Sequence, residues 1–278
     1  MNERLSPGLH IVATPIGNLG DLSPRAADTL RRADRILVED TRVTAKLLAH
    51  IGAKVPMSRY DDHTSGEERQ RIVARLSEEA VALVSDAGTP LISDPGYKLV
   101  RAARAAGQQV YSVPGPCAAI AALTIAGLPT DRFLFLGFLP AKAKARSDAI
   151  AEIANVRASL IIYESGPRLA DTLLALSAQL GEREAAVARE LTKLHEQCVT
   201  DTLGKLAGRY ANAIPKGEIV IVIGPPSEAE TVSDDELDAA LDAAMAKFSP
   251  SRAAAEVAEQ LNIPRKRAYA RALDLSRK

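Results

Sequence analysis

Short apolar runs with the length of buried β-strands recur along the chain and alternate with amphipathic segments. Two of the amphipathic segments, 23–33 and 66–79, have helical spacing, and in the first Pro24 stands at the first-turn position. Alternation of this kind predicts an α/β architecture with largely parallel strand pairing. The predicted strands are 9–13, 35–39, 81–85, 109–113, 132–137, 158–164, 185–189 and 218–224.

Two breaks in this pattern divide the chain into three predicted domains. The alternation pauses at Gly127 to Thr130 and then resumes with an aromatic strand, which places a boundary near residue 122. After Gly224-Pro225-Pro226 the composition changes abruptly. We therefore predict an N-terminal α/β domain over 1–122, a second α/β domain over 123–226 and a helical extension over 227–278.

Turns rich in Gly and Pro follow three of the predicted strands, at 14–21, 85–96 and 114–119. Open α/β sheets hold small ligands at the carboxyl ends of their strands, so these turns predict a pocket. The first turn lacks the G-x-G-x-x-G spacing, and Pro15 removes an N–H group, so it is either a tight connection or a ligand contact of another kind. The second is longer than a connection requires but contains no lysine, which disfavours triphosphate binding; it is either a binding loop or an inert structured one.

Ionisable residues cluster after two other strands. Glu39-Asp40-Thr41-Arg42 is either an ion cluster that satisfies itself or a base beside a substrate anchor. The segment 189–196 holds five ionisable groups in eight residues; as a helix it would face water, and as a loop it would line a cleft.

Composition narrows the functional classes. The 278 residues are 47% apolar, enough for a sizeable core, and 35 basic residues balance 35 acidic ones. Any contact with nucleic acid is therefore expected to be local, and the aromatic content of 4% argues against a base-stacking platform. No apolar run approaches the ~20 residues of a membrane helix, so a soluble protein is expected.

Cysteine and histidine positions argue against disulfide and metal chemistry. Cys117 and Cys198 lie far apart, and residues 1–9 carry no signal-peptide pattern, so free thiols and a cytoplasmic location are expected. The four histidines show no paired metal-ligand spacing, so no metal is expected. The G-x-S-x-G elbow of serine hydrolases is also absent.

The C-terminal extension separates its charges. Residues 227–248 hold seven acidic residues and one lysine, whereas 249–278 hold seven basic and three acidic residues. Helical patterns at 253–261 and 265–275 flank a turn at Asn262-Ile263-Pro264, which is a helix-turn-helix layout. Either this is a solvated helical hairpin that packs on the body, or it contacts nucleic acid.

Seven segments occur in a fixed order between residues 8 and 226. They read T-P-I-G-N-L-G-D-L-S-P-R-A, E-D-T-R, S-D-A-G-T-P-L-I-S-D-P-G, P-G-P-C-A, G-F-L-P, Y-E-S-G-P-R and G-E-I-V-I-V-I-G. Together they resemble the tetrapyrrole methylase superfamily and, within it, the bacterial 16S ribosomal RNA cytidine 2′-O-methyltransferases. The long stretch D-A-G-T-P-L-I-S-D-P-G is the most specific of them, and the extension after Pro226 also resembles one found in that subfamily.

The resemblance implies two α/β domains with S-adenosylmethionine in the cleft between them, and a homodimer. It also implies methyl transfer to a ribose 2′-hydroxyl in the decoding region, with 16S ribosomal RNA or the small ribosomal subunit as the partner. Cys117 and Gly166 depart from the family pattern. Serine or threonine is usual at position 117, and serine or alanine is usual at position 166. The positions that match the family's cofactor contacts are Pro15, Gly88, Thr89, Pro90, Ile92, Ser93, Ala118, Ala119, Tyr163 and Glu164.

A ribose hydroxyl is a weak nucleophile at neutral pH, so this reaction calls for a base or a nearby charge. Asp40 and Glu190 are the candidate bases, and Arg42 and Lys193 are candidates to stabilise oxyanion or phosphate charge. Two rival functions remain open: a methyltransferase acting on a tetrapyrrole precursor, and a non-enzymatic RNA-binding assembly factor.

Overall fold

A computed structural model describes residues 5–212, 214–226, 234–261, 263 and 265–276. The chain divides into two compact units, Met1–Pro225 and Pro226–Lys278. The first unit contains two sheets with helices packed against them, and the second is helical.

The first sheet is parallel throughout its described strands, with the order β3-β2-β4-β1-β5. Its strands are β1 (Gly8–Val12), β2 (Arg35–Val38), β3 (Met57–Arg59), β4 (Ala80–Leu83) and β5 (Val110–Val113). The helices that follow them are α1 (Pro24–Arg32), α2 (Thr41–His50), α3 (Gly66–Arg75), α4 (Tyr97–Ala105) and α5 (Ala118–Ile125).

Helices cover both faces of this sheet. Leu30 of α1 and Leu47 of α2 pack into the core on one face, and Ile72 of α3 and Leu99 of α4 into the core on the other. Burial on both faces explains why its central strands read as continuous apolar runs. Because all strands run in the same direction, the turns that follow β1, β2, β4 and β5 lie along one edge of the sheet.

The second sheet has the order β6-β7-β10-β8-β9 and is mixed. Only β6 and β7 pair in parallel among its described strands; the other pairs are antiparallel, so the expectation of largely parallel pairing is wrong for this sheet. Its strands are β6 (Phe133–Phe138), β7 (Ser159–Ser165), β8 (Glu184–Arg189), β9 (Gln197–Thr202) and β10 (Glu218–Ile223). Its helices are α6 (Ala143–Ile153), α7 (Leu169–Leu180) and α8 (Leu203–Tyr210).

Helix α5 connects the two sheets. It follows β5 in the first sheet, but Ala122 and Leu123 pack with Ile161 and Val220 of the second. Residue 122, the expected domain boundary, therefore lies inside a helix. The division of residues 1–226 into two domains at that position stays a prediction.

The second unit consists of α9 (Asp234–Met245), α10 (Pro250–Gln260) and α11 (Arg265–Leu275) in its described part. Leu237, Leu241 and Val257 belong to a core of its own, and Arg271 forms a two-pronged ion pair with Asp238 at 2.6 and 2.7 Å. The two expected helices are present as α10 and α11, whereas α9 was not expected. Asn262 and Pro264 of the expected turn lie outside the described residues. In the described segments no helix combines the length and apolarity needed to cross a bilayer.

Candidate functional site

The three Gly/Pro turns of the first sheet are joined to one another by hydrogen bonds. The backbone N–H of Thr14 donates to the carbonyl of Gly88 at 2.8 Å, and the N–H of Gly88 donates back to Thr14 at 3.1 Å. The hydroxyl of Thr89 donates to the carbonyl of Pro116 at 2.8 Å. The turns after β1, β4 and β5 therefore form one connected wall at the carboxyl edge of the sheet.

This wall borders a cavity of about 610 Å³. A cavity of that size lies within the ~300–1,000 Å³ range of small-molecule sites. Turns of the first sheet form one side, and residues of β6, β7, β10 and the β8–β9 loop form the other. The sequence-predicted residues that line it are Pro15, Gly88, Thr89, Ile92, Ser93, Ala118, Tyr163, Glu164, Glu190 and Lys193.

Four sequence-predicted residues lie outside the lining. Pro90 and Ala119 are buried next to residues that line the cavity. Asp40 and Arg42 line a neighbouring pocket of about 480 Å³ instead. Glu39 and Asp86 line both, so the two spaces are adjacent.

Backbone strain is concentrated in two loops beside the cavity. Among the described residues, the non-glycine residues with positive φ are Leu91, Ser93, Glu190 and Thr192, with φ between 51° and 73°. The first two lie in the loop after β4, and the other two lie in the loop between β8 and β9. Residues held in this conformation cluster at functional sites, because the surrounding structure must enforce them.

Tyr163 positions the start of α5. Its hydroxyl oxygen accepts a hydrogen bond from the backbone N–H of Ala119 at 3.1 Å, at a helix start where Cys117 supplies no side-chain cap. The ring packs edge-on against Phe135 and Phe138, with centroids 4.9 and 5.6 Å away. Burial raises the pKa of Tyr163, so the hydroxyl stays protonated at neutral pH.

The carboxylate of Glu164 is engaged within the protein. It accepts hydrogen bonds from the Thr172 hydroxyl at 2.7 Å and the Ser165 N–H at 2.8 Å, and it lies 3.3 Å from the Arg168 guanidinium. Neighbouring residues of a strand point to opposite faces, so Tyr163 faces the cavity side and the Glu164 side chain faces the core beneath α7. Glu164 thus contributes backbone to the cavity wall.

The cavity wall is acidic. A negatively charged wall favours a cationic ligand and disfavours a phosphate. Lys193 is the basic side chain among its described lining residues, and it pairs with Glu190 at 3.1 Å. The acidic lining residues other than Glu164 are Glu39, Asp86, Asp94, Glu190 and Glu218.

Two of these carboxyl groups titrate near neutral pH. Burial, followed by the charges of Asp94 and Asp86, raises the pKa of Glu39 to about 7. Burial also raises the pKa of Asp94 to about 6, although a hydrogen bond from Ser85 opposes the change. Groups of this kind, buried beside like charges in a cavity, are candidates for proton transfer.

Asp40, in contrast, is an ion-paired helix cap. Its carboxylate accepts the backbone N–H of Arg42 at 2.8 Å and the guanidinium of the same residue at 2.6 Å. These bonds lower the pKa of Asp40 to about 2, which makes it a weak base.

Sequence reasoning did not select several residues of the site. Asp86 and Asp94 belong to the long loop 85–96, and Glu39 belongs to the ionisable cluster 39–42. The sequence marked both segments as candidates but did not show which residues in them line the cavity. Phe138 and Glu218 lie in the family-like segments G-F-L-P and G-E-I-V-I-V-I-G but were not singled out within them. In the described segments, no three His, Cys, Asp or Glu side chains are arranged to hold a metal ion.

Comparison with known proteins gives matches over most of the chain. Residues 8–207 match the family described as Tetrapyrrole (Corrin/Porphyrin) Methylases, and residues 231–276 match the RsmI C-terminal HTH domain. A protein of Erythrobacter litoralis named ribosomal RNA small subunit methyltransferase I is 56% identical over 98% of this chain and 97% of its own. A protein of the same name from Mesorhizobium japonicum is 46% identical over 98% and 93%.

Solved structures share the fold at much lower identity. A diphthine synthase has a TM-score of 0.62 at 17% identity, covering 78% of this chain and 89% of its own. The uroporphyrin-III-C-methyltransferase of Thermus thermophilus has a TM-score of 0.56 at 20% identity, covering 78% and 93%. At these identities the likeness shows the fold alone.

Proposed function

We propose a function from the family to which this chain belongs, the tetrapyrrole methylases, in which it groups with the ribosomal RNA small subunit methyltransferase I proteins. The chain is a methyltransferase, and we infer that it methylates the ribose 2′-hydroxyl of a cytidine in the decoding region of 16S ribosomal RNA, with S-adenosylmethionine as methyl donor. The acidic cavity between the two sheets is the observation that carries this proposal. When bound, S-adenosylmethionine supplies a methyl group activated by a positively charged sulfur.

The cavity fits this methyl donor in charge and shape. The carboxylates of Asp86 and Asp94 suit a sulfonium cation. Gly88, at a φ of +81°, lets the wall approach a ligand closely. We assign donor binding to the ten positions that match the family's cofactor contacts. Pro90 and Ala119 act indirectly, because they are buried next to lining residues, and Glu164 acts through its backbone.

Positioning supplies much of the catalysis in such a transfer, because the acceptor oxygen must approach in line with the bond that breaks. The joined turns and the Tyr163–Ala119 hydrogen bond hold the cavity wall in place for this purpose. The sequence-based roles of Asp40 and Glu190 as bases, and of Arg42 and Lys193 as charge stabilisers, remain candidates within the proposal.

The partner we propose is 16S ribosomal RNA or the small ribosomal subunit, in the cytoplasm. Arg265 and Lys266 at the exposed start of α11 support contact with RNA.

We also propose a homodimer. Exposed apolar side chains such as Ile120, Ile125 and Phe133 support it, and sedimentation of the purified protein tests it.

Transfer of a labelled methyl group tests the function directly. The purified protein is incubated with methyl-labelled S-adenosylmethionine and, separately, naked 16S RNA, small subunits or a porphyrinoid precursor. We expect label in a single 2′-O-methylcytidine. Label in the porphyrinoid and none in RNA would support the tetrapyrrole rival, and absence of donor binding by calorimetry would support a non-enzymatic assembly factor.

A further inference from the structure

The pocket beside the main cavity lies where three neighbouring strands of the first sheet end. Glu39 to Arg42 follow β2, Arg59 ends β3, and Asp86 follows β4. Because β3, β2 and β4 are parallel, these residues meet at the same edge as the Gly/Pro turns. The pocket measures about 480 Å³ and shares Glu39 and Asp86 with the main cavity.

Both spaces are lined by carboxylates, and the smaller pocket adds two arginines to Glu39, Asp40 and Asp86. Arg42 and Arg59 both line the smaller pocket, with side chains 87% and 75% exposed. Each is paired with a nearby carboxylate, Arg42 with Asp40 at 2.6 Å and Arg59 with Asp61 at 3.3 Å. In both pairs the carboxylate is only 29% exposed, but the guanidinium group lies largely in solvent, where it can also bind phosphate oxygens.

Glu39 lies between the two spaces. Asp40, Thr41 and Arg42, its neighbours along the chain, line the smaller pocket, and Glu39 itself lines both spaces. Unlike Asp40, it has no ion pair among the described contacts. Burial next to Asp94 and Asp86 places its pKa at about 7, near the optimum for a general base at neutral pH.

We propose that the smaller pocket holds the acceptor nucleotide of the RNA, with Arg42 and Arg59 binding the phosphates that flank it and Glu39 accepting the proton of the 2′-hydroxyl. This assignment rests on the function proposed above. It adds Arg59 and Glu39 to the site and gives the role of base to Glu39 in place of Asp40.

The reaction balances with these groups. The ribose oxygen forms a bond to the methyl carbon, the carbon–sulfur bond breaks, and its electron pair remains on sulfur as a neutral thioether. The hydroxyl proton passes to the Glu39 carboxylate and later to water. No oxidant, reductant or metal is required by this balance.

Glu39→Gln tests the base. In the full-length protein we expect the single-turnover rate at pH 7 to fall about 100-fold or more, while the affinities for S-adenosylmethionine and for 16S RNA stay within about threefold of wild type. The matched control is Glu67→Gln, an exposed glutamate of α3 in a weak ion pair with Arg71 at 3.8 Å.

The pH profile separates a base from a structural residue. The wild-type rate should rise with pH and level off above about 7, because the base must lose its proton, and Glu39→Gln should abolish this rise. An unchanged profile or a rate near that of Glu67→Gln would overturn the role of Glu39. The charged groups around Glu39 are Asp40, Arg42, Arg59, Asp62, Asp86 and Asp94.

Arg59→Ala and Arg42→Ala test the phosphate contacts through RNA binding alone. Each should weaken 16S RNA binding about five- to tenfold and reduce the salt dependence of the binding constant by about 0.7, without changing affinity for S-adenosylmethionine. Arg71→Ala is the control, because its side chain is 74% exposed and also ion-paired. Arg59→Lys should recover part of the affinity, since it keeps the charge but loses the planar fork.

Two outcomes separate a failure of the pocket assignment from a failure of the proposed function. If wild-type protein binds the donor but transfers no methyl group to ribosomal RNA, the proposed function fails, and the assignment fails with it. If wild-type protein methylates RNA while the Arg59 and Arg42 variants bind RNA like Arg71→Ala, the pocket assignment alone is overturned.

Discussion

Asp94 lies in the cavity wall with a pKa raised to about 6, because burial disfavours its charged form. Its pKa in the unfolded chain is about 3.9. Below that value the carboxyl group is protonated in both states and has no effect on the free energy of unfolding. Between about 3.9 and 6 the unfolded chain has lost the proton that the folded protein still holds, so stability falls across this range and this group changes it no further above about 6.

Asp94→Asn should therefore stabilise the protein at pH 8 and have little effect at pH 4. The gain should be about 1 kcal/mol or less, because the group is partly exposed and solvent screens it. Urea denaturation at the two pH values measures it, with Asp131→Asn at an exposed position as control. A gain of equal size at both pH values would contradict the assigned burial.

Tyr163→Phe removes the acceptor of the Ala119 N–H and should cost about 1 kcal/mol in the free energy of unfolding. Because this bond fixes the start of α5 beside the cavity, affinity for S-adenosylmethionine should fall as well. Chemical denaturation and calorimetry measure the two effects. Tyr97→Phe, which changes a tyrosine 65% exposed on α4, should leave both unchanged; equal behaviour of the two variants would contradict the role of Tyr163.

At the scale of elements, the link between the turns after β1 and β4 depends on a glycine. Gly88 has a φ of +81°, and a Cβ there would lie 3.2 Å from a methyl carbon of Ile16. Gly88→Ala should therefore lower the free energy of unfolding by about 1–2 kcal/mol and weaken binding of S-adenosylmethionine.

The variant Gly107→Ala separates the expected loss of stability from the expected loss of donor affinity. Gly107 has a φ of +72°, but nothing lies within 4 Å of a Cβ built on it. We expect a loss of stability from the backbone conformation and unchanged donor affinity. If both variants change donor affinity alike, the turn is not part of the donor site.

The elements that the sequence predicted best are those with buried apolar runs, such as β4, in which all four residues are buried. Strands β3 and β9 were missed because neither contains a buried apolar run. Met57–Arg59 has three residues, and Gln197–Thr202 has no fully buried residue and is polar at four of its six positions. Strand direction in the second sheet was also missed, since a run such as Glu218–Ile223 reads the same in parallel and antiparallel pairing.

Candidate site residues were predicted where the turns are unusual and missed where the chemistry depends on distant neighbours. The loop from Ser85 to Gly96 stands out in the sequence, and most of it lines the cavity. The raised pKa of Glu39 requires burial against Asp94, which is remote in sequence, whereas Asp40 is neutralised by Arg42 two positions away. Sequence spacing reveals neither environment.

In the whole molecule, one unit contains the acidic cavity that we propose as the donor site, and the other contains an exposed basic helix start. Changing Arg265 and Lys266 together to glutamate should weaken 16S RNA binding about tenfold or more and lower its salt dependence, with donor affinity unchanged. Filter binding over a range of salt concentrations measures this. Unchanged RNA affinity would favour the reading of the extension as a solvated helical hairpin.

We propose that this protein places a methyl group on one ribose of 16S ribosomal RNA. Nucleoside mass spectrometry of ribosomal RNA from a strain that lacks the protein tests it most directly. We expect the loss of one 2′-O-methylated cytidine from the decoding region, restored by the wild-type chain and not by Glu39→Gln. An unchanged set of 2′-O-methylated nucleosides in the deletion strain would contradict it.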